Sequence, residues 1–260
     1  MLVLAVKQNN IIKINLLSEV IKMEKLDLLY VGKAKKVYAT NDPTLCIFEY
    51  KDDATAFNGQ KKGSFEGKGI INNQMANFIF RLLEKEGVKT HLVEEISPRE
   101  TLVKKVDIIP LEVIVRNIAA GSFSKRYGVK EGTPFVAPTL EFSYKNDELG
   151  DPLINDYQAI ALGIVTKEEI DVISDMAFKV NEALKKIFLN IGIKLVDFKI
   201  ELGKTSDGEI VLADEISPDT CRLWDAETNK KLDKDRFRLD LGEFGDVYRE
   251  VWGRLTEFYK

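Results

Sequence analysis

Residues Leu195 to Asp225, LVDFKIELGKTSDGEIVLADEISPDTCRLWD, constrain this chain more than any other stretch. From Leu195 to Leu202, Val196, Phe198 and Ile200 alternate with Asp197, Lys199 and Glu201. Successive side chains of a strand point to opposite faces, so the alternation predicts a strand with three charges on one face. Asp207-Gly208 marks a tight turn, and Glu209 to Ala213 is apolar enough to return as a second strand. Its exit carries Asp214 and Glu215, and Arg222 follows. Residues i and i+2 of a strand lie about 6.5 Å apart, so long side chains can converge on a cation or a polyphosphate. Carboxylate oxygens suit Mg²⁺, which takes one or two protein carboxylates and shares the rest of its shell with phosphates and water. Alternation alone equally describes a ribbon with one solvated face. The crowding of acids, Pro, Arg and Trp into DEISPDTCRLWD favours a site.

With 260 residues the chain can bury a sizeable core, as one large domain or two intimate ones. A net charge of −4 argues against a general nucleic-acid binder, although a local basic pocket for a phosphorylated metabolite remains open. No stretch approaches the roughly 20 apolar residues of a membrane-spanning helix. Cys46 and Cys221 are far apart and in no metal-like spacing, which reads as two reduced thiols of a cytoplasmic protein. His91 is the one histidine, so zinc sites built on histidine pairs are excluded; it is expected at a surface or strand edge. Met1 to Lys22 starts apolar but lacks a basic leader and a small-residue cleavage site, and reads as an upstream extension of residues 1–22, or else as an added strand or a short amphipathic helix.

Along the chain, Gly32, Lys33, Lys35 and Lys36 lie at one end of a small hairpin whose strands are Val37–Ala39 and Leu45–Tyr50. Such a flap can lie over phosphates, or its lysines can simply face solvent. No Walker A pattern is present. Asp52 to Gly69 reads as a long loop, and Ile70 to Glu86 as a helix with one apolar stripe. Thr90–Glu95, Thr101–Val106 (with Lys104 and Lys105) and Leu111–Arg116 read as strands. Arg116 leads into Asn117-Ile118-Ala119-Ala120-Gly121-Ser122, a small-residue turn that suits a phosphate cradle or an ordinary loop. Gly128 to Pro152 is turn-rich. Thr166 and Glu169 form a capping box that opens a helix through Ile191. Lys230 to Asp240 is highly charged, with Arg236 and Arg238 at alternate positions, and a helix from about Glu243 closes the chain. Antiparallel groups of strands with helices between and after them predict an α+β fold.

LVDFKIELG followed by LADEISPDTCRLWD resembles the signature region of the SAICAR synthetase family of purine biosynthesis. IIPLEVIVRNIAAGS, from Ile108 to Ser122, resembles that family's other signature, and YVGKAKKVY, from Tyr30 to Tyr38, its nucleotide-binding flap. The order of motifs is kept from about Met23 to the C-terminus, and Leu202 stands where the family usually has Phe. The resemblance implies a small N-terminal antiparallel-sheet lobe (23–107), similar to a protein-kinase N-lobe, and a larger α+β lobe (108–260), with ATP in the cleft between them. It implies an ATP-dependent ligase that joins L-aspartate to the carboxylate of 5-amino-1-(5-phospho-D-ribosyl)imidazole-4-carboxylate (CAIR), with Mg²⁺, in a cytoplasmic homo-oligomer such as a dimer. By the same resemblance, Lys33, Lys35 and Lys104 serve ATP, and Glu201 and Asp214 hold Mg²⁺. Arg116, Ser122, Arg222 and Arg238 take the ribonucleotide, and Asp197 and Lys199 meet its imidazole and carboxylate end. Two other readings use the same charged set: a kinase-like phosphotransferase for another small molecule, and a nucleotide-binding module without turnover.

Overall fold

The computed structural model describes residues 6–8, 11–16, 19–56 and 59–259, with side chains from residue 23 onward. In chain order the elements begin with β1 (Val6–Gln8), β2 (Ile11–Leu16), β3 (Glu19–Val31), β4 (Lys35–Thr40) and β5 (Leu45–Tyr50). A short hairpin follows, β6 (Asp53–Ala56) and β7 (Lys61–Ser64), then helix α1 (Lys68–Lys85). Next come β8 (Leu92–Ser97), β9 (Glu100–Lys104), β10 (Asp107–Ile118), α2 (Gly121–Tyr127), β11 (Pro134–Tyr144) and β12 (Leu153–Ile154). The chain then runs through α3 (Asp156–Ala161), α4 (Lys167–Asn190), β13 (Ile193–Lys204), β14 (Ile210–Ala213), β15 (Cys221–Asp225), α5 (Asp235–Arg238) and α6 (Phe244–Phe258).

Two antiparallel sheets make the two lobes. The first runs β1-β2-β3-β4-β5-β9-β8; the second runs β12-β11-β10-β13-β14, with β15 also on β13. The expected α+β class and two-lobed arrangement hold. The extension expected at residues 1–22 lies partly outside the described residues; its described backbone forms β1, β2 and the start of β3, which lengthen the first sheet at one edge. The sheets are stitched by the segment before β8. Leu212 of β14 donates to Lys89 O, and His91 donates to Leu212 O, each at 2.9 Å.

Helix α4 starts at the expected capping box, with Thr166 accepting from the Glu169 amide. Its stripe Ile170, Ile173, Ala177, Val180, Leu184 and Phe188 is buried against the inner face of the second sheet, together with Val247, Val251 and Leu255 of α6. Met75, Ile79 and Leu83 of α1 join the same core, so this helix of the N-terminal part packs in one body with the C-terminal lobe. The charged face of the second sheet is thereby left to look toward the first.

Three expectations are corrected. Gly128 to Pro152 contains the eleven-residue strand β11, held by its pairing with β10 from Leu111↔Tyr144 to Arg116↔Thr139. Asp52 to Gly69 contains the β6–β7 hairpin, whose sequences DATA and KKGS carry no bulky apolar residue to reveal a strand. His91 is buried, with 2% of its surface exposed, between the edges of Phe48 and Phe80 at ring-centroid distances of 5.3 and 5.6 Å. Among the described residues, no helix is long and apolar enough to cross a membrane.

Candidate active site

Strand register builds the site. In β13, Asp197, Lys199 and Glu201 alternate with buried Phe198 and Ile200 and share one face, as expected. Pairing with β10 sets Arg116 opposite Asp197, Ile114 opposite Lys199, and Glu112 opposite Glu201. Pairing with β15 sets Arg222 opposite Asp197 on the other side. Directly opposed side chains of antiparallel strands lie within reach of each other. The result is a row in which Asp197 accepts from Arg116 Nη1 at 2.7 Å and from Arg222 Nη1 at 2.9 Å. One step along, Lys199 Nζ bridges the two facing acids, Glu112 at 2.6 Å and Glu201 at 3.1 Å. Opposed carboxylates repel, and the shared ammonium offsets that repulsion. Burial opposes a charge on Lys199, but Glu201 and Glu112 outweigh it and hold its pKa above the usual lysine range.

Two cavities open on this face. The cleft, of about 330 Å³, lies between the β3–β4 flap and the charged sheet, and its walls include Lys33, Lys35, Lys145, Glu201, Asp214 and Lys234. A smaller pocket of about 120 Å³ is lined by Arg116, Asp197, Arg222 and Arg238. The two share Lys199, Asp219 and Thr220, so they meet there. A more open groove of about 520 Å³ beside β11 and β12 is lined by Glu141 and Asp156 with no lysine or arginine, which suits no phosphate.

Lys35 lies at the cleft floor with its Nζ 2.5 Å from Asp214 and 3.2 Å from Glu215. Burial disfavours its charge, yet Asp214 and Glu215 hold its pKa well above normal. Burial acts against the Asp214 carboxylate too, and Lys35 and Lys199 hold its pKa below the usual value. Asp214 follows β14 directly with φ 61°, a left-handed conformation that Asp tolerates better than most residues. His91 hydrogen-bonds the Asp214 backbone from behind, and its Nδ1 has no partner. Burial and nearby Lys35 push the imidazole pKa down to about 3. Above the cleft, Lys33 spans the lobes to Asp147 at 2.8 Å.

Glu201 and Asp214 are brought together because Glu201 pairs with Ala213, the residue before Asp214. Among the described residues there is no group of three or more His, Cys, Asp and Glu placed to hold a metal. Two hard-oxygen donors on one wall nonetheless fit Mg²⁺, which needs few protein carboxylates when phosphates complete its shell. Both acids are already met by ammonium groups, Glu201 by Lys145 and Lys199 and Asp214 by Lys35, and a bound Mg²⁺ would share them with these lysines.

Lys33 and Lys35 thus line the cleft, and Asp197, Lys199, Arg116, Arg222 and Arg238 gather in the adjoining pocket. Ser122 sits beside that pocket, with its Oγ 3.4 Å from Arg116 Nη2. Gly121 leaves room for the Arg222 guanidinium, since a Cβ there would lie 2.5 Å from its Nη2. Lys104 is not among the lining residues: it ends β9, and its amide donates to His91 O at 2.7 Å. Sequence reading missed Glu112, Lys145, Asp147, Asp219 and Lys234 in the walls. It also missed buried Lys68, which pairs with Asp219. A lysine in the first turn of a helix opposes the helix dipole, and that was the available signal for Lys68.

A family model of SAICAR synthetase matches residues 28–255. The phosphoribosylaminoimidazole-succinocarboxamide synthase of Lachnoclostridium phytofermentans is 63% identical over 233 residues, 90% of this chain and 99% of its own length. The crystal structure of that synthase from Ehrlichia chaffeensis superposes with a TM-score of 0.87 at 48% identity, covering 88% of this chain and 98% of the other. A SAICAR synthetase in complex with ADP gives 0.85 at 51% identity, covering 88% and 97%. The flap, the charged strand and the acid-rich strand exit all fall inside the matched span, and on these grounds the chain belongs to the SAICAR synthetase family.

Proposed function

We propose that the chain is an ATP-dependent ligase that joins L-aspartate to the carboxylate of CAIR, giving SAICAR, ADP and phosphate in purine biosynthesis. The observation that carries this reading is the junction of the two cavities: a lysine-walled cleft meets an arginine-lined pocket at Lys199, Asp219 and Thr220. A polyphosphate and a phosphorylated ribonucleotide are the pair of anions that such a junction suits. The relative solved with ADP is consistent with nucleotide in the cleft.

A carboxylate resists attack by an amine because its carbon is shielded by delocalised charge and oxide is a poor leaving group. In the proposed path a carboxylate oxygen of CAIR takes the γ-phosphoryl group, and ADP departs. The amine of aspartate then forms a bond to the acyl carbon, the carbon–oxygen bond to phosphate breaks, and the amine loses a proton. Phosphoryl transfer needs alignment and neutralisation more than covalent help from the protein. Lys33 and Lys35 would meet the nucleotide phosphates, and Arg116, Arg222 and Arg238 would orient the ribonucleotide. Lys199, between Glu112 and Glu201, would present its ammonium to the substrate carboxylate. Glu201 and Asp214 would hold Mg²⁺, which offsets charge on the transferring group when bound.

ADP release followed with ATP and CAIR, with and without aspartate, tests the reading. Release that requires aspartate and yields the amide supports it. Transfer of the γ-phosphoryl group to water or another acceptor, with ADP released at the same rate without aspartate, would overturn it. With CAIR and no aspartate, scrambling of the β,γ-bridging oxygen of ATP into its β-nonbridging positions would support the acyl phosphate.

A further inference from the structure

Lys234 differs from every other cation in the cleft wall. It immediately precedes α5, and its backbone amide is anchored on Pro218 O at 3.1 Å. Its side chain is only 15% exposed, yet it lines the cleft. Lys33, Lys35, Lys145 and Lys199 each hold a carboxylate at hydrogen-bond distance. The ammonium of Lys234 has one ionic contact among the described residues, Asp219 Oδ1 at 3.5 Å, and donates no hydrogen bond there.

Asp219 offsets its charge but takes no hydrogen bond from it. Its Oδ2 already accepts from Lys68 and from Asn72 at 2.9 Å, and its Oδ1 from Tyr248 at 2.8 Å. Glu215, the other acid nearby, is taken by Lys35, Ser217 and Asn72. Lys68 and Arg238 add positive charge nearby. Burial, then Lys68 and Arg238, lower the Lys234 pKa, and Asp219 and Glu215 only partly counter them. A nearly buried ammonium with unused donors is costly unless an anion or water meets it.

Its position narrows the anion. Lys234 faces Asp219, one of the three residues common to both cavities. With the polyphosphate assigned to the flap lysines and the ribose phosphate to the arginines, the anionic groups still without a partner are the carboxylates of the amine substrate. We propose that Lys234 anchors a carboxylate of that substrate and thereby selects a dicarboxylic amino acid at the junction. The proposal rests on the ligase reading above.

The test varies L-aspartate at saturating ATP and CAIR. Lys234→Met should raise the KM for aspartate about tenfold or more, the scale of one lost charge-assisted hydrogen bond. The KM values for ATP and CAIR should stay within about twofold, since each keeps its own cations. Succinate, which has both carboxylates but no amine, should lose potency as an inhibitor in parallel. Lys234→Arg should recover part of the aspartate affinity. A fall in kcat at unchanged aspartate KM, or an equal rise in all three KM values, would overturn the assignment. Should Lys234→Met fail to fold, Lys234→Gln with a melting curve takes its place under the same outcomes. Wild-type ADP release that ignores aspartate would overturn the ligase reading; aspartate-dependent release with an unmoved KM in the variant would overturn this assignment alone.

Discussion

Asp214 combines a left-handed backbone, an ion pair to buried Lys35 and a place beside Glu201. Asp214→Asn keeps the shape, and Asn accepts the left-handed region, so the fold should persist with Glu215 still facing Lys35. The neutral amide is a poor ligand for a hard cation, so kcat should fall about 100-fold, on the order of 3 kcal/mol. Added Mg²⁺ should restore part of the loss. Near-wild-type kcat at low Mg²⁺ would remove Asp214 from the metal site. His91 makes a second residue-scale prediction. Its pKa falls from 6.5 to about 3 on folding, so below pH 6.5 the unfolded chain takes up a proton that the folded chain refuses. Its neutral-ring stability is therefore full above 6.5 and is lost as pH falls toward 3, at about 1.4 kcal/mol per pH unit. His91→Phe keeps the aromatic packing but not the bond to Asp214. Its destabilisation at pH 7.5 should shrink by about 2 kcal/mol at pH 5, as the wild type weakens. Urea unfolding at both pH values measures this, and a constant difference would contradict it.

At the scale of elements, the turn into α2 sets the arginine pocket. Gly121 has φ 53°, and a Cβ there would press on the Arg222 guanidinium. That guanidinium cannot easily retreat, because Asp197 holds it on one side and Asp235 on the other at 2.8 Å. Gly121→Ala should thus raise the KM for the ribonucleotide about tenfold while leaving that for ATP nearly unchanged, with about 1–2 kcal/mol lost in stability from the positive φ. A change in the ATP KM alone would place the turn against the wrong cavity. The alternation in β13 made this element readable in advance. Strand β11 is obscured by the turn residues that surround it, although Leu140, Phe142 and Tyr144 alternate with Glu141 and Ser143; the β6–β7 hairpin was not readable because its short strands carry no bulky apolar residue.

At the scale of the whole molecule, lobe closure joins the flap to the charged sheet through Lys33–Asp147 and Lys35–Asp214. A ligand bound between lobes stabilises only the folded state. A non-hydrolysable ATP analogue with Mg²⁺ at about 100 times its Kd should add about 2.7 kcal/mol, read as a rise in Tm. Removing Mg²⁺ with a chelator should cut most of that gain, since the phosphates would then face Glu201 and Asp214 directly. An equal shift with and without Mg²⁺ would contradict the placement of metal at these two acids.

By itself the sequence determined the α+β class, the capped helix α4, and the charged face of β13, since these depend on periodicity and on spacing within one segment. Through its motifs it also carried the family. Only the tertiary structure decided which charges meet. The row Arg116–Asp197–Arg222 and the bridge Glu112–Lys199–Glu201 arise from register between strands far apart in sequence. The burial of His91 behind Asp214 and the unfilled donors of Lys234 depend on packing between elements. A side chain's neighbours across a sheet or a cleft are fixed by pairing and packing free energy summed over the fold, and no local pattern encodes them.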